Sequence, residues 1–268
     1  MKQNEQFIKS FLQRFTDTLM INGGFLDNPG LFTGEMGLVL FFFRNANFSR
    51  NVLYSDFGYD LIGRIQSRIH NETPVDYKQG ITGIGSAFEY LVQKGFIEAD
   101  TDDILEEFDK RIFFVHNLPD FSLDELLGIG YYAFWRMSGS SVRKESIFNT
   151  ILPQVVNFME KKSNNLFPAV SFFKNIVSSD SAFDLHDNSR KLAWFHLCCN
   201  CNNNLLSLES DMYSSLFEKF SKRIFKKNFN LGVYNGLAGL GLSLLTELDS
   251  DNSWTSLFPI HFLPTLNP

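Results

Sequence analysis

Three segments of the chain repeat one wording. Gly34-Glu35-Met36-Gly37-Leu38 returns as Gly80-Ile81-Thr82-Gly83-Ile84-Gly85 and again as Gly236-Leu237-Ala238-Gly239-Leu240-Gly241. A fourth copy, Glu125-Leu126-Leu127-Gly128-Ile129-Gly130, keeps the later glycines, and Asn188-Ser189-Arg190-Lys191-Leu192-Ala193 is a degenerate fifth. Along the chain the first three starts fall at 34, 80 and 125, so the period is 46 and then 45 residues. A period of about 40–50 residues marks a repeated supersecondary unit. Each glycine at a helix start costs about 1 kcal/mol against alanine. Glycines at i and i+3 share one helix face and let a neighbouring backbone come close, as inner helices meeting around a common axis require.

Each glycine motif opens a segment that is apolar nearly all round: Gly37 to Phe43, Ile81 to Val92, Leu126 to Trp135, Leu192 to Cys199 and Leu237 to Leu245. Helices of that kind are buried on every side. Between them run segments with one apolar stripe and one wet face. The stripes are Phe7, Ile8, Phe11, Leu12, Phe15 and Leu19; Leu53, Tyr54, Phe57, Leu61, Ile62, Ile65 and Ile69; Ile104, Leu105, Phe108 and Ile112; Ile147 to Met159; and Met212 to Ile224. Such stripes belong to helices on the outside of a globule. Short apolar runs alone could be strands, but the alternation and the capping box Ser122-x-x-Glu125 favour helix. The expectation is all-α, a two-layer arrangement in one domain over residues 1–268. An irregular insertion interrupts it near 162–187, and an apolar, proline-punctuated tail at 251–268 is placed to close or plug it. Thirty phenylalanines in 268 residues demand a large dry interior of this sort.

Charge excludes some functions. Twenty-four Lys and Arg against thirty Asp and Glu give −6, which repels phosphate backbones unless a basic face is segregated. The densest basic run, Lys222 to Lys227, reads as cations at a helix C-terminus, so nucleic acid is not an expected partner. Cys198, Cys199 and Cys201 lie too close together to staple distant parts of a fold, which fits a reducing, cytoplasmic setting. The N-terminus begins an amphipathic helix rather than a signal peptide. No apolar run approaches the ~18 residues of a membrane span.

The glycine motifs, read with the residues before them, resemble the repeat motifs of lanthionine synthetase C-like (LanC-like) proteins. The matching runs are Asn28-Pro29-Gly30-Leu31-Phe32-Thr33-Gly34, Asp76-Tyr77-Lys78-Gln79-Gly80 and Leu231-Gly232-Val233-Tyr234-Asn235-Gly236. The resemblance covers about residues 1–248. It implies an α/α toroid, an inner ring of helices inside an outer one, here with about five to six hairpins where the family usually has seven. Active members use zinc to turn a peptide cysteine into a thiolate that adds to a dehydrated Ser or Thr, with acid/base groups handling the enolate.

Carried over residue by residue, the resemblance implies a degenerate site. The family's Cys-His pair falls on Tyr234-Asn235, and its earlier Cys falls at His186, followed by Asp187. A phenol and an amide do not replace a thiolate and an imidazole, so no zinc and no other cofactor is expected. The family Asp four places before a motif glycine matches Asp76, and its His directly before a motif falls on Asp124. Asp76, Asp124 and His186 are the catalytic candidates, with helix capping as the structural reading of the two aspartates. Tyr77, Asp187, Tyr234 and Asn235 would line a binding cleft. The implied function is a catalytically degenerate binder of a peptide or protein partner in a central cleft, an accessory in ribosomal-peptide maturation. The alternative is an enzyme with a rearranged acid/base site, either peptide cyclase-like or acting on carbohydrate through paired carboxylates. His196 with the three cysteines has metal-like composition, but reads as a buried cluster at a helix end.

Overall fold

A computed structural model describes residues 2–113, 118–139, 141–142, 144–162, 173, 230–234 and 236–259. Among these the helices are α1 (Lys2–Gly23), α2 (Glu35–Ser49), α3 (Val52–Arg68), α4 (Ile81–Gln93), α5 (Thr101–Ile104), α6 (Glu106–Phe113), α7 (Leu123–Ser138), α8 (Lys144–Ser146), α9 (Leu152–Lys162) and α10 (Leu237–Asp249). No strand occurs among the described residues. The fold is all-α, as the periodicity predicts. The expected helices at Leu192 to Cys199 and Met212 to Ile224, and most of the insertion at 162–187, lie outside the described residues. The chain divides into two compact units, Met1–Arg68 with His186–Thr255, and Ile69–Leu185 with Ser256–Pro268.

In the first unit α2 is buried along Glu35 to Asn45 and α10 along Leu237 to Thr246. Helices α1 and α3 each bury one stripe: Ile8, Phe11, Leu12, Phe15 and Leu19 on α1, and Tyr54, Leu61, Ile62 and Ile65 on α3. Leu53 departs from the expected stripe and is 64% exposed. Consecutive helical residues point about 100° apart, and Tyr54 takes the core side. Helix α2 packs on α3 and α10, and α10 packs on α1. At the far end Arg44, 2% exposed, donates to Asp251 O at 2.7 Å and meets Asp249 Oδ2 at 2.8 Å. Trp254 donates to Thr246 Oγ1 at 2.9 Å, which ties the start of the tail to α10.

In the second unit α4 and α7 are the buried pair and pack on each other. Two expected helices are interrupted. The stripe Ile104 to Ile112 is split into α5 and α6, with Asp100 capping α5 through Asp102 N at 2.9 Å. The stripe Ile147 to Met159 opens with a π turn, Ile147–Ile151, before α9. Pro153 lacks the N–H that would close an α turn on residue 149, and the wider turn sits where that bond is missing.

The repeated glycine motifs have one geometry. Gly34, Gly80 and Gly236 are the N-caps of α2, α4 and α10, with φ of −112°, −102° and −135° and ψ of −168°, −171° and 174°. Any residue adopts such extended dihedrals, so the glycine answers to space. A Cβ would lie 2.3 Å from Asn28 O at Gly34, 2.1 Å from Pro74 O at Gly80 and 2.2 Å from Gly232 O at Gly236. In each case the next N–H reaches back seven residues: Glu35 N to Asn28 O at 2.8 Å, Ile81 N to Pro74 O at 2.9 Å, Leu237 N to Asn230 O at 3.1 Å. The loop carbonyl thus satisfies a helix-terminal donor that would otherwise need a side-chain cap.

The later glycines serve the neighbour. In the first unit a Cβ on Gly37 would meet Val233 Cγ2 at 2.8 Å, and one on Gly241 would meet the Phe41 ring at 2.3 Å. In the second, a Cβ on Gly128 would meet Tyr77 N at 3.1 Å, and one on Gly85 would meet the Tyr132 ring at 2.4 Å. Counted from the first residue of each motif these are the same positions, three and five residues in. The α10–α2 pair therefore repeats the contacts of the α4–α7 pair.

Candidate functional site

The chemistry-bearing positions sit in the loops that lead into the buried helices, where each helix start is held by side chains as well as backbone. Asp76 is half-buried, and its Oδ1 accepts from Lys78 N and Gln79 N, both at 2.9 Å. Its carbonyl accepts from Gly80 N at 3.0 Å. Asp76 therefore builds the turn into α4. In the first unit Asn28 and Asn230 do equivalent work: Asn28 Oδ1 accepts from Gly30 N at 2.8 Å and Asn230 Oδ1 from Gly232 N at 2.9 Å.

Asp124 is exposed, the second residue of α7. The expected capping role belongs instead to Ser122, which receives Glu125 N at 3.3 Å on Oγ while its own N donates to Glu125 Oε2 at 2.7 Å. The reason lies in register: a cap precedes the helix, and Asp124 is already inside it. A negative charge in that first turn still complements the helix dipole.

Tyr77 is fully buried, with its ring 5.6 Å from that of Tyr131. Burial pushes its phenol well above the ordinary value. It serves the core beneath the α4 entry loop and does not line a cleft by its exposure. Tyr234 is half-buried. Its N donates to Phe32 O at 2.8 Å, its O accepts from Asn230 Nδ2 at 2.5 Å, and its ring is 6.2 Å from Phe32. Tyr234 thus fastens the α10 entry loop to the α2 entry loop. His186, Asp187 and Asn235 lie outside the described residues, as do Cys198, Cys199, Cys201 and His196. Among the described residues no three His, Cys, Asp or Glu side chains gather closely enough to hold a metal.

Two buried charge clusters stand outside the residues that the sequence singles out. In the second unit Arg136 of α7, fully buried, pairs with Glu89 of α4, with Asp109 of α6 (Nη2 to Oδ2, 2.8 Å) and with Asp102 of α5 (Nη2 to Oδ1, 2.5 Å). Tyr132 donates to Asp109 Oδ1 at 2.7 Å. Burial, reinforced by Asp109, holds the Tyr132 phenol far above its ordinary value. Burial would raise Asp102 too, but hydrogen bonds from Val142 N, Ser141 and Arg136 outweigh it and hold its carboxyl below the usual range. In the first unit Glu35, fully buried at the start of α2, has Arg64 Nη2 at 2.7 Å and Arg68 Nη1 at 3.0 Å. Burial raises its pKa, and the two arginines only partly offset that. The sequence does carry a signal for both clusters. Glu35, Glu89 and Arg136 are charges in otherwise apolar segments, and a buried charge must be paired.

No family model matches the chain, and neither a curated protein nor a solved structure is similar to it. Among the described residues no helix is long and apolar enough to cross a membrane.

Proposed function

We propose that the chain is a LanC-like α/α toroid that has lost zinc-dependent thiol addition. It would bind a peptide or protein partner in a central cleft, as an accessory in ribosomal-peptide maturation. The observation that supports this reading best is the shared geometry at Gly34, Gly80 and Gly236. One turn recurs at the start of three buried helices, with the same backbone bond and the same excluded Cβ. A ring of repeated units accounts for that recurrence. It also accounts for the first and last buried helices, α2 and α10, meeting as α4 and α7 do. The loss of zinc chemistry rests on Tyr234-Asn235 standing where the family has Cys-His.

The test is titration of the purified chain with the precursor peptides and maturation enzymes encoded beside its gene, read by calorimetry and by elemental analysis. The proposal expects saturable binding of one of them and well under one zinc per chain. No binding to any of them, or close to one zinc per chain after chelator-free purification, would overturn it.

A further inference from the structure

The second position of the glycine motif is a core position in each described copy: Glu35, Ile81, Leu126 and Leu237 are all fully buried. Among these copies only α2 fills it with a carboxylate. The start of such a helix therefore needs no charge there, and a buried charge is costly unless it is paired. The pairing runs through the loop before α2. Arg64 and Arg68 lie one turn apart on α3, each about a third exposed. Arg64 Nη2 stands 2.7 Å from Glu35 Oε1 and donates to Gly24 O at 2.6 Å. Arg68 Nη1 stands 3.0 Å from Glu35 Oε2 and donates to Leu26 O at 2.5 Å. The nitrogens that hold the loop are thus the ones that neutralise the buried carboxylate. Asp27 of the same loop, almost fully exposed, lies 3.6 Å from Arg68 Nη2. Arg64, Arg68 and Asp27 are the charged groups that act on Glu35. The entry loop of α10 meets α2 through Val233, and the charges of α10, Glu247 and Asp249, lie at its other end. The last charged residue of α1, Asp17, lies more than a turn before the end of that helix.

We propose that Glu35, Arg64 and Arg68 form a proton-operated latch on the loop at 24–27. With the carboxylate ionised the two arginines clamp the loop, and with it protonated they turn out to solvent and the loop comes loose. A guanidinium without a counter-charge is better solvated in water, and both side chains already reach the surface. Burial holds the Glu35 carboxyl above its ordinary range, so the folded chain takes up this proton more readily than the unfolded one. With a raised folded pKa the ionised form costs stability above that value, and the cost is relieved as pH falls through it. Acidification therefore frees the loop without this group driving the helices to unfold.

Titrating the ¹³C,¹⁵N-labelled full chain with acid reads both halves of the latch by NMR. The Glu35 side-chain carboxyl should titrate above the ordinary value of about 4.3. At the same midpoint the backbone order parameters of Gly24 to Asp27 should fall from about 0.85 to below about 0.6, while those of α2 and α3 hold. Glu35→Gln, which mimics the protonated group, should show the loose loop already at pH 7. Glu35→Leu, which installs the residue that α7 and α10 carry at this position, should do the same. Asp27→Asn should keep the release and lower its midpoint, because Asp27 raises the Glu35 pKa. A loop that stays rigid through the Glu35 titration, a Glu35 midpoint at or below about 4.3, a rigid loop at pH 7 in either Glu35 variant, or a release abolished by Asp27→Asn would overturn the proposal.

Discussion

The ring of Tyr132 occupies the space that a side chain on Gly85 would need, 2.4 Å from its would-be Cβ. Phe41 stands in the same relation to Gly241, at 2.3 Å. The two rings differ in freedom, because Tyr132 is anchored through its hydroxyl to Asp109 and Phe41 has no such anchor. Gly85→Ala is therefore expected to cost about 2–3 kcal/mol and Gly241→Ala about 1–2 kcal/mol, within the usual range for overpacking. Urea unfolding of both variants checks the order, and Gly241→Ala as the more damaging change would refute it.

Gly63 supplies the opposite case. It lies inside α3, is exposed, and a Cβ there would meet nothing within 4 Å. Gly63→Ala should stabilise the protein by up to about 1 kcal/mol through helix propensity alone. A lowered unfolding midpoint would show that something covers this position.

Removing Arg136 would strand two fully buried carboxylates, Glu89 and Asp109. Arg136→Met is expected to destabilise by about 3–5 kcal/mol. Urea unfolding of the variant beside the parent checks this, and a loss below about 1 kcal/mol would contradict it.

Asp102 ties acid stability to this cluster. Its folded pKa lies below the unfolded value, so the native state holds the carboxylate more firmly charged. Its contribution is fully present above the unfolded pKa of about 3.9 and is lost as pH falls through the folded value. Asp102→Asn should be less stable than the parent at pH 7 by about 1.5–3 kcal/mol, the worth of hydrogen bonds to a charged group. The two should converge as pH falls through the folded value. A gap that stays constant on acidification contradicts the assignment.

The buried helices are legible in the sequence because being apolar on all sides leaves few other places for a segment, and because Gly34, Gly80 and Gly236 repeat. What the glycines do is only half legible. The first one clears its own loop's carbonyl, a contact set by backbone earlier in the chain that no pattern in the helix reports. The capping of α7 is clear in Ser122 and Glu125, yet aligning the repeat on Glu125 draws Asp124 into a role that its place inside the helix rules out. Arg136 shows the other gap. Its partners come from three different helices, and one-dimensional periodicity records that a charge is present in an apolar run but not what neutralises it.

Phe41 reaches Gly241 across 200 residues of chain, and Arg44 reaches Asp249 across 205. During synthesis α2 emerges long before α10 exists, so its Gly37 and Phe41 face stays uncovered until residue 241 has been made. Contacts of such sequence separation raise the contact order and slow folding. They also leave an apolar helix face open to other chains in the interval. A chain stopped before α10 would carry that exposure permanently, which makes the N-terminal helices dependent for solubility on a segment made some 200 residues later.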